Sequence, residues 1–345
     1  MDKKLRAIDR NNLITTYRQN GTKAELDYII DDNDSFAIQC YTSTDHNVIY
    51  YPGDNLIKKL DSELVDLSYA FIDIYFADLD LYYKESSSIP MGLFLGGQNS
   101  DISINKETFL KLADLYSPCF NDLYKHLYVA DCQYLISTVQ NLLLSAEHCF
   151  IQYYICLAQI DGCDLSLGKT LMVSSRETMQ LAFFLETFFT KLYSVLDLMV
   201  KIVYEFEHPA NSFSAITKLK SSEKLWGSRK ILSLNNTAET IFEDCEIIKQ
   251  IESLRNETVH NGTWEFRPKV YLKVQDKKIV ERYMLFPDFD QGRLTAVKNR
   301  RHFFSTETKV NDVLILIHDE FYQRLLSTLQ YINRNVKNRE QQEAR

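Results

Sequence analysis

A chain of 345 residues with 45% hydrophobic and 25% charged residues can build a substantial core, which excludes wholesale disorder. Only 10 Gly and 6 Pro interrupt it, favouring long helices over many short strands joined by tight turns. A formal charge of −8 argues against indiscriminate polyanion binding, because neutralising phosphates is what supplies that affinity.

The charge is unevenly placed. Residues 1–100 carry 16 Asp and Glu against 9 Lys and Arg, whereas residues 267–301 carry 10 Lys and Arg against 4 acidic groups. The seven cysteines (40, 119, 132, 149, 156, 163, 245) form no CxxC pair, and an odd number without finger spacing reads as reduced thiols in a cytoplasmic protein. Cys149, Cys156 and Cys163 recur every seven residues, a buried stripe; thiolates stacked along a helix lie roughly 10 Å apart and cannot share one metal ion. The start of the chain lacks a basic stretch followed by an apolar run and a small-residue cleavage site, so no signal peptide is expected. The most apolar stretch, MQLAFFLETFFTKLYSVLDLMVKIVYEF, contains Glu186, Lys191, Asp197 and Lys201, each costly at a bilayer centre, and no membrane span is expected.

In chain order, the first 55 residues combine a short helical start with SFAIQCYTSTDHNVIYYPG, whose Phe, Ile, Tyr and Val clusters read as two short strands. From Asp54 the apolar spacing turns helical and continues to Glu85. SSSIPMGLFLGGQNSD, with its Ser, Pro and Gly, reads as a linker that divides an acidic α/β region (1–100) from a helical domain (101–345). Helical spacing resumes in NKETFLKLADLYS, stops at Pro118, and returns in DCQYLISTVQNLLLSAEHCFIQYYICLAQID, ending at Gly162. A long helix follows, with a Ser at its start and Pro209 past its end; Thr187, Thr190, Ser194, Asp197, Lys201 and Glu205 form its polar stripe. A shorter helical piece near SFSAITKLKSS precedes NNTAETIFEDCEIIKQIESLRNETVHNG, read as a helix capped by Thr237 and closed at Asn261-Gly262. WEFRPKVYLKVQDKKIVERYMLFP then reads as a basic hairpin over 264–287 around a QDKK turn, before a last helix in VNDVLILIHDEFYQRLLSTLQYINRNV and a charged tail.

The end of the helix before the hairpin, LRNETVHNG, concentrates the chemistry. With Ile251 at the centre of the buried face and ~100° per residue, Ile247, Leu254 and Thr258 flank it, while Asn256 and His260 face the opposite side together. Arg255 falls at the rim of the apolar stripe, where it can bury its stem and present its guanidinium. An Arg-Asn pair spaced to a His in this way is expected by chance about 0.02 times in a chain of this composition.

Arg255, Asn256 and His260 resemble the Arg-polar-x-x-x-His signature of the HEPN superfamily, small helical domains of RNA-cleaving toxins and phage-defence proteins. The long helix with FLETFFTKLYSVLDLMVKIVYEFE is similar to the one that packs against the motif helix there, so the resemblance covers residues 130–262 and extends to the final helix; residues 1–100 have no counterpart. It implies a mainly α HEPN-like bundle with the hairpin inserted before the last helix, plus a small mixed α/β N-terminal region. It also implies metal-independent endoribonuclease chemistry without a cofactor, at a cleft between two copies of the domain. A near-neutral imidazole can take or give the proton of a ribose oxygen, and a guanidinium can brace charge on the phosphate. Arg255 and His260 are ~140° apart on a regular helix, so a homodimer would bring the groups together. Asn256 would orient the imidazole or touch substrate, Glu186 would be an accessory carboxylate, and Lys269, Lys273, Lys298, Arg300 and Arg301 would hold RNA. A defence effector or toxin restrained by its acidic N-terminal part or a regulatory partner fits this reading. Other HEPN proteins are non-catalytic interaction scaffolds, which is the alternative.

Competing motifs fail on spacing. GCDLSLGKT at 162–170 has five residues, not four, between Gly162 and Gly168-Lys169-Thr170, and MGLFLGG lacks the dinucleotide pattern. His46, His126, His148, His208, His302 and His318 show no paired-ligand spacing and read as structural.

Overall fold

The computed structural model describes residues 4–8, 14–18, 41–42, 48–50, 54–162, 169–224 and 237–343. Cys40, His46 and Cys163, and residues 163–168 of GCDLSLGKT, lie outside them. Two compact units are formed, one from residues 1–61, 142–195 and 237–328, the other from 62–141, 196–236 and 329–345.

Strands β1 (Lys4–Ile8), β2 (Ile14–Arg18), β3 (Tyr41–Thr42) and β4 (Val48–Tyr50) form an antiparallel sheet in the order β2-β1-β4-β3. The pair β3/β4 lies where the aromatic and β-branched clusters were expected to be strands. The helical start is instead a pair of strands, in register from Lys4 opposite Arg18 to Ile8 opposite Ile14. The run Ile14-Thr15-Thr16-Tyr17, β-branched and aromatic, explains why the strand prevails there.

Helix α1 (Asp54–Tyr75) realises the expected periodicity, with Leu60, Leu64, Leu67 and Phe71 buried at three- and four-residue steps. Two Asx caps set the next starts. Asp78 Oδ1 accepts from the Asp80 and Leu81 amides at 2.9 and 3.1 Å for α2 (Leu79–Ser86), and Asn105 Oδ1 accepts from the Thr108 amide at 2.8 Å for α4 (Lys106–Tyr116). Between them the stretch expected as a linker is packed. It contains the short helix α3 (Met91–Leu95), and Ile89 and Leu93 are buried in one cluster with Ala113, Leu123 and Leu127.

Three long helices follow: α5 (Leu123–Gln159), α6 (Arg176–Glu207) and α9 (Val310–Glu343). The polar stripe of α6 is satisfied locally, Thr190 Oγ1 donating to the Glu186 carbonyl at 2.8 Å and Ser194 Oγ to that of Thr190 at 2.9 Å. Glu205, assigned to that stripe, is buried instead; it accepts from the Tyr128 hydroxyl and, at 2.7 Å, from the Ser221 amide of α7 (Ser221–Lys224). The helical piece expected over 212–222 is thus reduced to this one turn.

The motif helix α8 (Glu246–Asn261) begins later than Thr237, with Cys245 as its N-cap residue and no side-chain cap bond. Thr237 closes a separate turn: its carbonyl accepts both the amide (3.1 Å) and the hydroxyl (2.6 Å) of Thr240, and Glu239 has φ +59°, which a continuing helix does not allow.

After α8, β6 (Val270–Gln275) and β7 (Lys278–Tyr283) form the expected hairpin, turning at Asp276-Lys277, whose φ values of +50° and +60° suit a two-residue primed turn. A strand that sequence reading did not foresee, β5 (Thr170–Val173), pairs antiparallel with β6 to make a three-stranded sheet. Val270, Leu272 and Val274 alternate inward. Arg282 of β7 ties this sheet to the end of α5, its Nε donating to the Ile160 carbonyl at 2.6 Å and its guanidinium pairing with Asp161 at 2.8 Å. Asn311 fixes the start of α9, accepting from Tyr153 through Oδ1 (3.2 Å) and from Tyr154 through its carbonyl (3.1 Å) while donating to the Arg282 carbonyl (2.8 Å). The chain is mainly helical, with a small sheet before its last helix.

Candidate active site

Residues 288–309 form a strap along α8 that begins with the short hairpin β8 (Phe289–Asp290) and β9 (Arg293–Leu294). Asp288 closes its base by accepting from the amides of Ser305 (2.7 Å) and Thr306 (3.2 Å) and from their hydroxyls (2.5 and 2.8 Å). Burial alone would raise this carboxyl, but those four hydrogen bonds prevail and hold it down at about 2. Gly292 lies against Glu246 and Lys249 in the first turn of α8, the Leu294 amide donates to Ser253 Oγ at 3.2 Å, and Arg301 and His302 reach Glu257 near the last turn. The strap thus follows α8 from its start to its motif end.

The buried line of α8 is Ile248, Ile251, Leu254 and Glu257, at three-residue steps. This differs from the expected flank of Ile247 and Thr258, both of which are half-buried, and it places a carboxylate on the covered face. Glu257 is only 5% exposed. Its Oε2 accepts from Arg301 Nη1 at 3.0 Å and from Asn261 Nδ2 at 2.9 Å, and its Oε1 lies 3.2 Å from His302 Nε2. A buried carboxylate requires such partners, so Glu257 binds the strap to the helix end.

Arg255 is half-buried, as its rim position implied, with its guanidinium carbon 4.5 Å from the centre of the Tyr193 ring of α6. Its Nη1 donates to Asn256 Oδ1 at 2.9 Å. Asn256 Oδ1 therefore steadies the guanidinium. His260 is exposed at the last turn of α8, with no hydrogen-bond or ion-pair partner among the described residues. Gly262 ends the helix at φ +90°, its amide donating to the Thr258 carbonyl at 3.2 Å.

Glu186 accepts from Thr263 Oγ1 at 2.5 Å, which ties α6 to the exit of α8. Burial raises its pKa, and bonds from Thr263 and the Trp264 amide oppose the rise. The basic residues separate into four settings. Lys269 is paired with Glu265 at 2.6 Å, Lys273 is exposed on β6, and Lys298 and Arg300 are exposed in the turn closed by the Val297 and Arg300 bridge. Arg301 is the basic residue that the fold brings to the motif end. Sequence reading missed Tyr193 and Glu257 and read His302 as structural; the contacts that bring these side chains to the motif helix are tertiary and leave no signal in local spacing. No group of three or more His, Cys, Asp or Glu among the described residues is arranged to hold a metal ion, and no helix searched is long and apolar enough to cross a membrane.

Residues 169–334, which hold the long helix α6, the motif helix α8 with Arg255 and His260 in its last two turns, and most of α9, form a domain of the HEPN superfamily. The family model that matches is that of the Cthe2314-like HEPN domains, over residues 169–334. The match begins after α5, not at residue 130, and it runs through the hairpin into α9. Comparison with curated proteins and with solved structures returns no match.

Proposed function

We propose that the chain is a metal-independent endoribonuclease of the HEPN type, acting as a homodimer in a toxin or phage-defence setting. The observation that carries this reading is the state of the two motif side chains. Arg255 is held by Tyr193 and Asn256, which gives a guanidinium a fixed direction, whereas His260 stands uncovered on the same helix end. A prepositioned cation and an uncovered imidazole, brought together across two copies, suit in-line attack of a ribose 2′-oxygen on the neighbouring phosphorus. The cation braces the phosphate oxygens, and imidazole moves the protons.

A second copy supports the geometry that one helix lacks. Val259, next to His260 in the chain, and Phe266, five residues past the end of α8, are 51% and 82% exposed, apolar side chains that a partner copy would cover, bringing its own Arg255 and His260 to a shared groove. Lys273, Lys298 and Arg300 would then line the RNA backbone, and residues 1–100, acidic overall, would compete for the same basic surface as a restraint.

The test is total RNA incubated with the purified protein in EDTA, with His260→Ala in parallel. Chelator-resistant cutting by the wild-type chain that disappears in the variant supports the reading. Equal cutting by both, or none by either, contradicts it.

A further inference from the structure

Resting on that ribonuclease reading, we propose that His302 is the second imidazole of the site, held by Glu257 so that one chain's motif end carries both a proton acceptor and a proton donor. The observation is the convergence on a single buried carboxylate. Glu257 joins Asn261 of the motif helix to both Arg301 and His302 of the strap, through contacts of 2.9, 3.0 and 3.2 Å. Glu257 and His260 are three residues apart on α8, neighbours on one side of a regular helix. The ring of His302 therefore lies beside the turn that presents His260.

The arrangement follows the logic of an oriented base. In the neutral ring, hydrogen bonding to Glu257 Oε1 places the proton on Nε2 and leaves the Nδ1 lone pair as the acceptor. A third group that fixes tautomer and direction is what distinguishes a prepared base from an incidental histidine. His302 is 29% exposed and Arg301 43% exposed, so both reach solvent while anchored from beneath. The charged and titratable groups around His302 are Glu257, Arg301, Glu265 and Lys269, and His260 follows Glu257 by three residues on the same helix.

The step balances within these groups. Nδ1 of His302 takes the 2′-hydroxyl proton as the 2′-oxygen bonds to phosphorus. The bond from phosphorus to the 5′-oxygen breaks, and that oxygen takes a proton from protonated His260. The products are a 2′,3′-cyclic phosphate and a free 5′-hydroxyl. Proton exchange with water restores the two rings, and Arg301 offers its remaining N–H groups to the phosphate oxygens.

Two measurements test the placement. The first uses wild-type protein labelled with ¹⁵N in its histidine rings, titrated with nucleoside 3′-monophosphates. The proposal requires an Nε2–H tautomer at His302 that is lost in Glu257→Gln, and ring shifts at both His260 and His302 on adding nucleotide. The second is the pH profile of kcat/KM. His302→Gln should lower the rate about 100-fold or more, in the range of a lost general base, and remove the acidic limb; His260→Gln should remove the basic limb. A structural role for His302 would lower the curve without changing its shape. Nucleotide-induced shifts at His260 alone, or an intact acidic limb in His302→Gln, overturn the role of His302 while the ribonuclease reading stands. A wild-type chain that does not cut RNA overturns both.

Discussion

The strap that carries Arg301 and His302 depends on one close approach, at Gly292. Gln291 and Gly292 turn the β8/β9 hairpin with φ of +47° and +79°, and a Cβ built on Gly292 would lie 2.6 Å from the Glu246 carbonyl oxygen and 2.7 Å from Lys249 Cβ. Both contacts are with the first turn of α8, where backbone cannot retreat cheaply. Gly262 provides the internal control: its φ is +90°, and a Cβ there would meet nothing within 4 Å. Ala at 262 should carry only the conformational cost of a left-handed residue, about 1 to 2 kcal/mol. Ala at 292 should carry that cost plus about 1 to 3 kcal/mol of overpacking, for a total of roughly 2 to 5 kcal/mol. The assay is urea unfolding followed by the fluorescence of Trp264, a buried residue of the same unit, in a Trp226→Phe background. A clearly lower midpoint for Gly292→Ala than for Gly262→Ala is expected. Equal midpoints would mean that the hairpin does not rest on the helix as described, and the delivery of His302 to the motif end would lose its basis.

Other consequences are testable in the same protein. Asp288 has its carboxyl depressed from 3.8 to about 2, so its stabilisation is fully present above pH 4 and is lost as pH falls towards 2. The stability gap between wild type and Asp288→Asn, about 1 kcal/mol at pH 6 after allowance for solvent screening, should close over that interval in acid titrations monitored by circular dichroism. The buried pair of Glu147 and His318, 2.6 Å apart with the imidazole stacked between Phe150 and Tyr322, makes Glu147→Ala costly, by about 3 kcal/mol in thermal or chemical unfolding; a change below 1 kcal/mol would deny the pairing. If the groove is shared between copies, co-expressed Arg255→Ala and His260→Ala chains should regain cleavage that each lacks alone, and a mixture as inactive as its components would argue that each chain works by itself. Tyr193→Leu should lower cleavage at least several-fold relative to Tyr193→Phe, which keeps the ring face that supports Arg255; equal cleavage by the two would deny the support.

Periodicity made much of this fold legible. The apolar spacing of α1, α5, α6 and α9 is long and regular, and the QDKK turn announces β6 and β7 through residues that tolerate positive φ. The start of α8 was not legible from Thr237, because the left-handed Glu239 and the Thr240 hydroxyl create a turn that resembles a cap in sequence alone. Strand β5 escaped because four residues next to a helix start carry too little pattern, and their pairing partner lies about 100 positions away. In the candidate site, the exposure of His260 and the rim position of Arg255 followed from a helical wheel. Glu257 did not, since a charged residue on a buried face is explained only by the strap that covers it. Tyr193 and His302 came to the site through tertiary packing, which no local spacing encodes.

The most direct measurement is of the RNA ends left by the wild-type chain in EDTA, analysed by mass spectrometry on a short defined oligoribonucleotide, with the 2′-deoxy substrate and His260→Ala as controls. The account predicts 2′,3′-cyclic phosphate and 5′-hydroxyl ends from the ribose substrate alone, and none from the variant. Ends bearing a 5′-phosphate, cleavage of the deoxy substrate, or no cleavage at all would contradict it.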